Sequence, residues 1–372
     1  MLLPNLTPGG AERVNVYLAN ALVEAGLEVD LVLLERVGPL EGLLDPRVRI
    51  VSLAAKGARR ALGPLSRFLR SARPDAVLAN MWPLTVVAWL AKLASRVQAR
   101  LVFVEHTTWS ISELRERRLT RWLNTVTMRL FYPRADAVVA VSDGSARDLE
   151  RVAKLPTGYV QTIHNPVVRE ATDAGEATPT QPVQPVSWLV GDHKRLLAVG
   201  TLKPIKDLPS LLQAFARLRE RCDVQLLILG EGQERAALEA QIRALGLQNQ
   251  VHMPGFVMDT VPYFAHADLF VLSSRGEGLP SVIVEALEQG TPVVSTDCPS
   301  GPREILEDGR YGTLVPVGDV EALAQAMEEA LNRPHDHEAL KRRAQDFSVD
   351  KAANAYLELL LPGWREDMRG GA

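Results

Sequence analysis

The sequence predicts an α/β protein built from two doubly wound domains, and three observations predict it. Short apolar runs of strand length alternate with helix-period segments, and the alternation restarts halfway along the chain. At 372 residues the chain is long for one domain and ordinary for two. Between the halves, residues 170–185 are rich in Ala, Thr, Pro and Gln and carry neither period, as a linker does. We therefore expect a first domain over 1–167, a linker over 168–190 and a second domain over 191–347.

In the first half, an apolar run over 1–6 leads into Thr7-Pro8-Gly9-Gly10-Ala11-Glu12-Arg13-Val14. Helical periodicity follows at Val14, Tyr17, Leu18, Ala21, Leu22 and Ala25 and stops at Gly26. This is a strand, a glycine loop and a helix. Glycines there let backbone approach a bound group, and the helix start favours anions. Further strands are expected at 29–34, 48–53, 76–80, 101–105, 137–141 and 160–164, with helices at 64–72, 84–96, 112–131 and 144–154.

Two of these helices are basic and amphipathic. Leu65, Phe68, Leu69 and Ala72 run beside Arg67, Arg70 and Arg73. Leu119, Trp122, Leu123, Val126 and Leu130 run beside Arg115, Arg117, Arg118, Arg121 and Arg129. The expectation is that each buries its apolar face on the sheet and solvates its arginines. The alternative is peripheral contact with an anionic membrane surface. Val104-Glu105-His106-Thr107-Thr108 places His106 at a strand's carboxyl end, the ligand edge of such sheets. Ser142-Asp143-Gly144-Ser145 supplies caps for the next helix.

The second half gives strands at 195–199, 225–229, 251–253, 269–272 and 292–295. Helices follow at 208–220, 234–245, 260–264, 281–289, 303–306 and 320–332, and a last one at 350–360 begins after Ser348. Gly200-Thr201-Leu202-Lys203-Pro204-Ile205-Lys206 puts a lysine at a strand–loop–helix junction, where an ammonium can meet a diphosphate. Gly230-Glu231-Gly232-Gln233-Glu234-Arg235 imitates a dinucleotide fingerprint, but arginine stands where its third glycine belongs, so NAD is not indicated. Then comes Glu277-Gly278-Leu279-Pro280-Ser281-Val282-Ile283-Val284-Glu285-Ala286-Leu287. Two carboxylates eight positions apart bracket a loop and a helix start, with Pro280 suited to the first turn. The amides of 278–282 and the positive helix end attract phosphate.

This last stretch resembles the signature of retaining glycosyltransferases of family 4, in the GT-B superfamily. The Gly9-Gly10 loop, His106, Ile163-His164-Asn165-Pro166, Lys206 and the run from Thr296 to Glu304 carry the resemblance through nearly the whole chain. It implies a GT-B fold, two Rossmann-like domains facing across a cleft, with the C-terminal helix within 348–372 crossing back onto the first domain. It also implies roles. Glu277 lies at the donor sugar and Glu285 binds the nucleotide's ribose. Gly9 and Gly10 face the donor, His106 reaches its sugar, Lys206 meets the diphosphate, and Gly255, Phe256 and Val257 hold the base through backbone groups. Gly278, Leu279, Pro280 and Ser281 complete the donor loop. The chain departs from the family in two places: Thr201 stands where an arginine is usual, with Lys203 as its substitute, and the first strand is about half the usual length.

The activity so implied is transfer of a hexose or N-acetylhexosamine, with retention, from a UDP sugar to a growing glycan or lipid-linked acceptor. Neither a cofactor nor an obligatory metal is expected. The alternative is a catalytically silent GT-B module that binds nucleotide sugar or scaffolds a polysaccharide assembly complex.

Composition agrees with an ordinary globular chain, 47% apolar, 5% aromatic and 23% charged. Cys222 and Cys298 make neither a disulfide framework nor a metal cluster and read as buried thiols of a reducing compartment. No signal-peptide pattern opens the sequence, and the longest apolar stretch, 83–94, is interrupted by Lys92, so the expected location is cytoplasmic. Residues 1–167 hold 22 Lys+Arg against 15 Asp+Glu, whereas the remainder holds 20 against 30. A basic half beside an acidic one suits two modules with different partners. Without an aromatic-interleaved basic motif, nucleic acid is not among them.

Overall fold

The computed structural model describes residues 1–112, 118–169 and 186–364. They form two compact units, one of Met1–Arg169 with Ser348–Ala372, the other Glu170–Phe347.

The first unit runs β1 (Leu2–Leu3), α1 (Gly10–Glu24), β2 (Asp30–Leu33), β3 (Arg49–Ser52), α2 (Ala58–Ala72), β4 (Ala76–Asn80), α3 (Leu84–Ser95), β5 (Arg100–Glu105), α4 (Trp109–Ser112), α5 (Arg118–Phe131), β6 (Ala137–Ala140), α6 (Asp143–Ala153) and β7 (Gln161–Thr162). Its seven strands lie in the order β3-β2-β1-β4-β5-β6-β7, parallel throughout. Leu101, Val102, Phe103 and Val104 of β5 are all buried, because crossover helices cover both faces of a parallel sheet. The short β1 still pairs with both β2 and β4.

Helix α2 starts six residues earlier than its pattern suggests and carries Pro64 inside it. Ala61 and Leu65 on either side of Pro64 are buried, and their packing outweighs the lost hydrogen bond. Here the apolar face is inward and Arg67, Arg70 and Arg73 are exposed. Helix α5 overturns the same expectation. Its buried positions are Asn124 and Met128, whereas Leu119 is 68% exposed, Trp122 60%, Leu123 44% and Leu130 46%. Arg115 and Arg117 lie outside the described residues.

The second unit runs α7 (Val186–Leu189), β8 (Lys194–Val199), α8 (Leu208–Arg219), β9 (Val224–Leu229), α9 (Arg235–Ala244), β10 (Val251–Gly255), α10 (Val261–His266), β11 (Leu269–Leu272), α11 (Ser281–Glu288), β12 (Val293–Thr296), α12 (Pro302–Ile305), β13 (Thr313–Val315), α13 (Val320–Asn332) and α14 (His337–Ala344). The parallel order β10-β9-β8-β11-β12-β13 is the doubly wound 3-2-1-4-5-6 arrangement, with its switch point between β8 and β11. Strand β13, helix α14 and the short α7 carry no sequence signal. β13 has three residues, below the length at which period shows, and α14 buries only Leu340 and Ala344. Asp336 nonetheless caps α14 by accepting from the Ala339 amide at 2.9 Å. Of the expected linker, 170–185 lies outside the described residues.

Helix α15 (Val349–Leu360) belongs to the first unit. Val349 N–H donates to Val168 C=O at 2.8 Å, Ser348 caps the helix, and the Arg100 guanidinium donates to the Leu359 carbonyl. Among the described residues no helix is long and apolar enough to cross a membrane.

Candidate active site

Ligands of doubly wound sheets bind beyond the strands' carboxyl ends, at the switch point. In the second unit the loops leaving β8 and β11 meet there. Ser273 Oγ donates to Lys206 C=O at 2.8 Å, and Arg275 N–H donates to Ile205 C=O at 2.8 Å. The Arg275 guanidinium pairs with Asp207 at 2.9 Å. So fixed, Lys206 Nζ donates to Glu277 Oε1 at 2.7 Å, and Ser274 Oγ donates to the same oxygen at 2.5 Å. The Lys206 and Glu277 side chains are 21% and 11% exposed. Desolvating two charges is weak evidence for stability, and a semi-buried pair at a ligand edge makes this a candidate functional site.

Helix α11 begins right behind this pair without a side-chain cap, so its positive end faces the loop. Pro280 takes the N-cap position in extended backbone, one step before the first-turn place its sequence suggests. The loop after β12 holds this geometry from beneath. Thr296 Oγ1 donates to Ser274 C=O at 2.6 Å, and Ser300 Oγ donates to Gly278 C=O at 2.9 Å. Gly301, at φ +92°, has no room for a Cβ, which would lie 2.4 Å from Pro280 Cδ. Thr296, Ser300 and Gly301 are therefore the buttress of the Glu277 loop. Cys298, between Thr296 and Ser300, is buried, and burial first, then the Glu277 charge, pushes its thiol up to about 12, so it stays protonated.

Glu285 is the fifth residue of α11, about one turn in, and its Oε2 accepts from Thr260 Oγ1 at 2.9 Å. The Gly230-Glu231-Gly232 turn serves packing. A Cβ at Gly230 would lie 2.0 Å from Gly200 O, and one at Gly232 would lie 2.4 Å from Leu202 O. Glu231 holds Arg235 at 2.7 Å, and Arg235 in turn donates to Met253 C=O at 3.2 Å. That sets the end of β10, where Gly255 has φ +104°, Phe256 is exposed and Val257 half-buried. Thr201 is half-buried; Lys203 is exposed and forms no ion pair among the described residues.

The first unit gathers its candidates at its own switch point, between β1 and β4. His106 Nε2 lies 3.0 Å from Asn80 Oδ1 and 3.4 Å from Asn15 Nδ2. Asn15 also donates to Ala11 C=O at 2.8 Å, so the shorter contact assigns the imidazole N–H to Asn80. Burial lowers the His106 pKa to about 4 despite a favourable contact with Asn165, and the ring is neutral near pH 7. Neutral, it brings no positive charge to the site. At Gly9 a Cβ would meet the Glu12 carboxylate at 2.1 Å. The positive end of α1 is thus already served by the helix's own acid, while Gly10 is exposed.

Asn15, Asn80, Ser274, Thr260 and Ser300 are positioning residues that sequence reasoning missed. A polar residue between Val14 and Val16, on the buried side of α1, was a usable signal for Asn15. The loop hydroxyls give none.

Glu105, directly before His106, is fully buried. It accepts from Trp82 N–H at 2.9 Å and from the Tyr132 hydroxyl. Burial raises its pKa to about 7, with these hydrogen bonds opposing. Between roughly pH 4.5 and 7 the folded chain keeps a proton that the unfolded chain has released, so stability falls as pH rises through that window. Glu105→Gln is expected to remove the dependence and to be more stable than the parent at pH 8 by up to about 3 kcal/mol, with the difference vanishing near pH 4. Thermal unfolding across this range checks it; equal slopes for both proteins would contradict it.

Solved structures of this architecture include Anabaena HepE in complex with UDP and glucose, at TM-score 0.78 and 22% identity over 96% of this chain and 98% of that one. WaaG, a glycosyltransferase involved in lipopolysaccharide biosynthesis, matches at TM-score 0.73 and 18% identity over 97% and 99%. The fold is the GT-B fold, and the chain is a glycosyltransferase. Residues 8–170 match the family model "Glycosyltransferase Family 4", and residues 183–347 match "Glycosyl transferases group 1". The lipopolysaccharide core biosynthesis glycosyltransferase LpsE of Rhizobium meliloti is 31% identical over 95% of this chain and 96% of its own length. The chain belongs to glycosyltransferase family 4. An N-acetylgalactosaminyltransferase of Campylobacter jejuni, whose name specifies a diphospho-undecaprenol acceptor, is 28% identical over 96% and 97%.

Proposed function

We propose that the protein is a retaining glycosyltransferase that moves a hexose or N-acetylhexosamine from a UDP sugar to a hydroxyl of a growing glycan or lipid-linked acceptor. It would act at the cytoplasmic face, in cell-surface polysaccharide biosynthesis. The observation that carries this is the Lys206–Glu277 pair at the second unit's switch point, on the loop that leads into α11. As the bond from the anomeric carbon to the diphosphate breaks, the electron pair leaves on a phosphate oxygen. Lys206 and the start of α11 stabilise that charge where it develops. Glu277 holds the sugar and faces the positive charge that grows on it. Glu285 holds the ribose. The acceptor hydroxyl attacks on the face the diphosphate leaves, and its proton passes to the departing phosphate oxygen, so no protein nucleophile is assigned. Cation and helix end together carry the leaving-group charge, and the reading needs no metal.

Thermal shift and slow hydrolysis against UDP, GDP and ADP sugars test this. Selective stabilisation by a UDP sugar, worth about 2.7 kcal/mol at a hundred times Kd, with release of UDP, is expected. Binding without turnover, even with acceptor extract present, would favour a silent binding module instead.

A further inference from the structure

We infer that the second unit carries a further binding site, a basic groove that takes a small phosphorylated organic molecule. Its walls come from the loop before β13, the end of α13 and helix α14, and its volume is about 740 Å³. Small-molecule clefts run to roughly 300–1,000 Å³, and a bare phosphate ion would leave most of this one empty. Pro292 and Gly312, which directly precede β12 and β13, line it. The groove therefore opens at the amino edge of the parallel sheet, opposite the carboxyl edge that carries Lys206 and Glu277.

Charge defines the ligand. Arg310, Arg333, Arg342 and Arg343 line the groove against Asp336 and Asp346, although residues 168–372 hold 20 Lys+Arg against 30 Asp+Glu. Arg343 belongs to the frame. Its side chain is 12% exposed, it pairs with Glu307 and Asp346 at 2.9 Å, and it donates to the Glu304 and Ile305 carbonyls at 2.8 and 2.9 Å. Arg310 and Arg343 also lie over the Tyr311 ring, 5.0 and 5.8 Å from its centroid, so that wall is packed before a ligand arrives. The other three guanidiniums can turn to a ligand. Arg333 is exposed, donates to Thr313 Oγ1 at 3.1 Å and forms no ion pair among the described residues. Arg342 comes no nearer to Asp336 than 3.9 Å, and Arg310 meets Glu307 at 3.2 Å with its side chain 70% exposed. Such solvated pairs stabilise little and give way readily. Three like charges from three elements repel one another around the concavity until an anion lies among them. A phosphate monoester brings three strong acceptor oxygens and about two charges, more than a carboxylate offers, and guanidinium forks fit it. The remaining volume holds its organic body.

Calorimetric titration of the full chain with glucose 6-phosphate and with inorganic phosphate tests this. The sugar phosphate is expected to bind roughly tenfold or more tightly than the ion, and to weaken as salt rises. Arg333→Gln and Arg342→Gln should each weaken it roughly tenfold, as loss of a charge-assisted contact requires, whereas Lys206→Ala should leave it unchanged. Both arginines are exposed, and unchanged unfolding midpoints establish that the variants are folded. Binding that survives both groove substitutions but fails in Lys206→Ala places the ligand at the carboxyl edge and overturns the inference. So does a sugar phosphate that binds no tighter than the ion, or not at all. A dimer of the parent that R333Q/R342Q converts to monomer in light scattering would make the groove an interface and overturn it too.

Discussion

Lys206→Ala is expected to slow sugar transfer by about a hundredfold or more, which is what losing one preorganised charge at a leaving oxygen costs. The ammonium is fixed where the β8 and β11 loops meet, through Lys206 C=O and Ser273, and already lies against a carboxylate. It pays no reorganisation when a diphosphate arrives beside the start of α11. The fall should appear mainly in kcat, because the interaction strengthens as charge develops on the leaving oxygen. Lys206→Arg should recover part of the rate. A normal kcat in Lys206→Ala would place the leaving group elsewhere.

Glu277→Gln should also lower kcat by about a hundredfold, for a different reason. The amide keeps the shape and can still accept from Ser274, so the loop stands while the negative charge is gone. The donor's KM should change little, since the nucleotide is held by Lys206, the start of α11 and Glu285. Because Lys206 and Glu277 touch, their effects should not add: the double variant is expected to be less impaired than the product of the singles. A double variant as slow as that product would mean the two groups act independently.

The extent to which these features were legible follows from which physical signals are local. Alternating periods fixed the doubly wound class, since each strand and helix writes its own pattern. Glu277, Lys206 and His106 lie in loops that follow apolar runs, and the resemblance to family 4 singled them out there. Their pairing could not be read, because Lys206 and Glu277 are 71 positions apart and meet only through sheet order. The buttress of Thr296, Ser300 and Gly301 was legible as a turn but not as a support, since hydroxyl-to-carbonyl bonds leave no periodicity. α5 shows the reverse failure. Its stripe was plain in the sequence, and the assumption that apolar faces turn inward assigned it to the core. The Trp82 and Trp89 contacts that turn it outward are tertiary.

The central claim is that the second unit divides a nucleoside diphosphate between Lys206, which takes the diphosphate, and Glu285, which takes the ribose. Calorimetric titration of UDP and of uridine into the parent, Lys206→Ala and Glu285→Ala tests it most directly. Lys206→Ala should weaken UDP roughly tenfold or more and leave uridine unchanged, as loss of a charge-assisted contact requires. Glu285→Ala should weaken both ligands. Unchanged UDP affinity in Lys206→Ala, or unchanged uridine affinity in Glu285→Ala, would contradict the account.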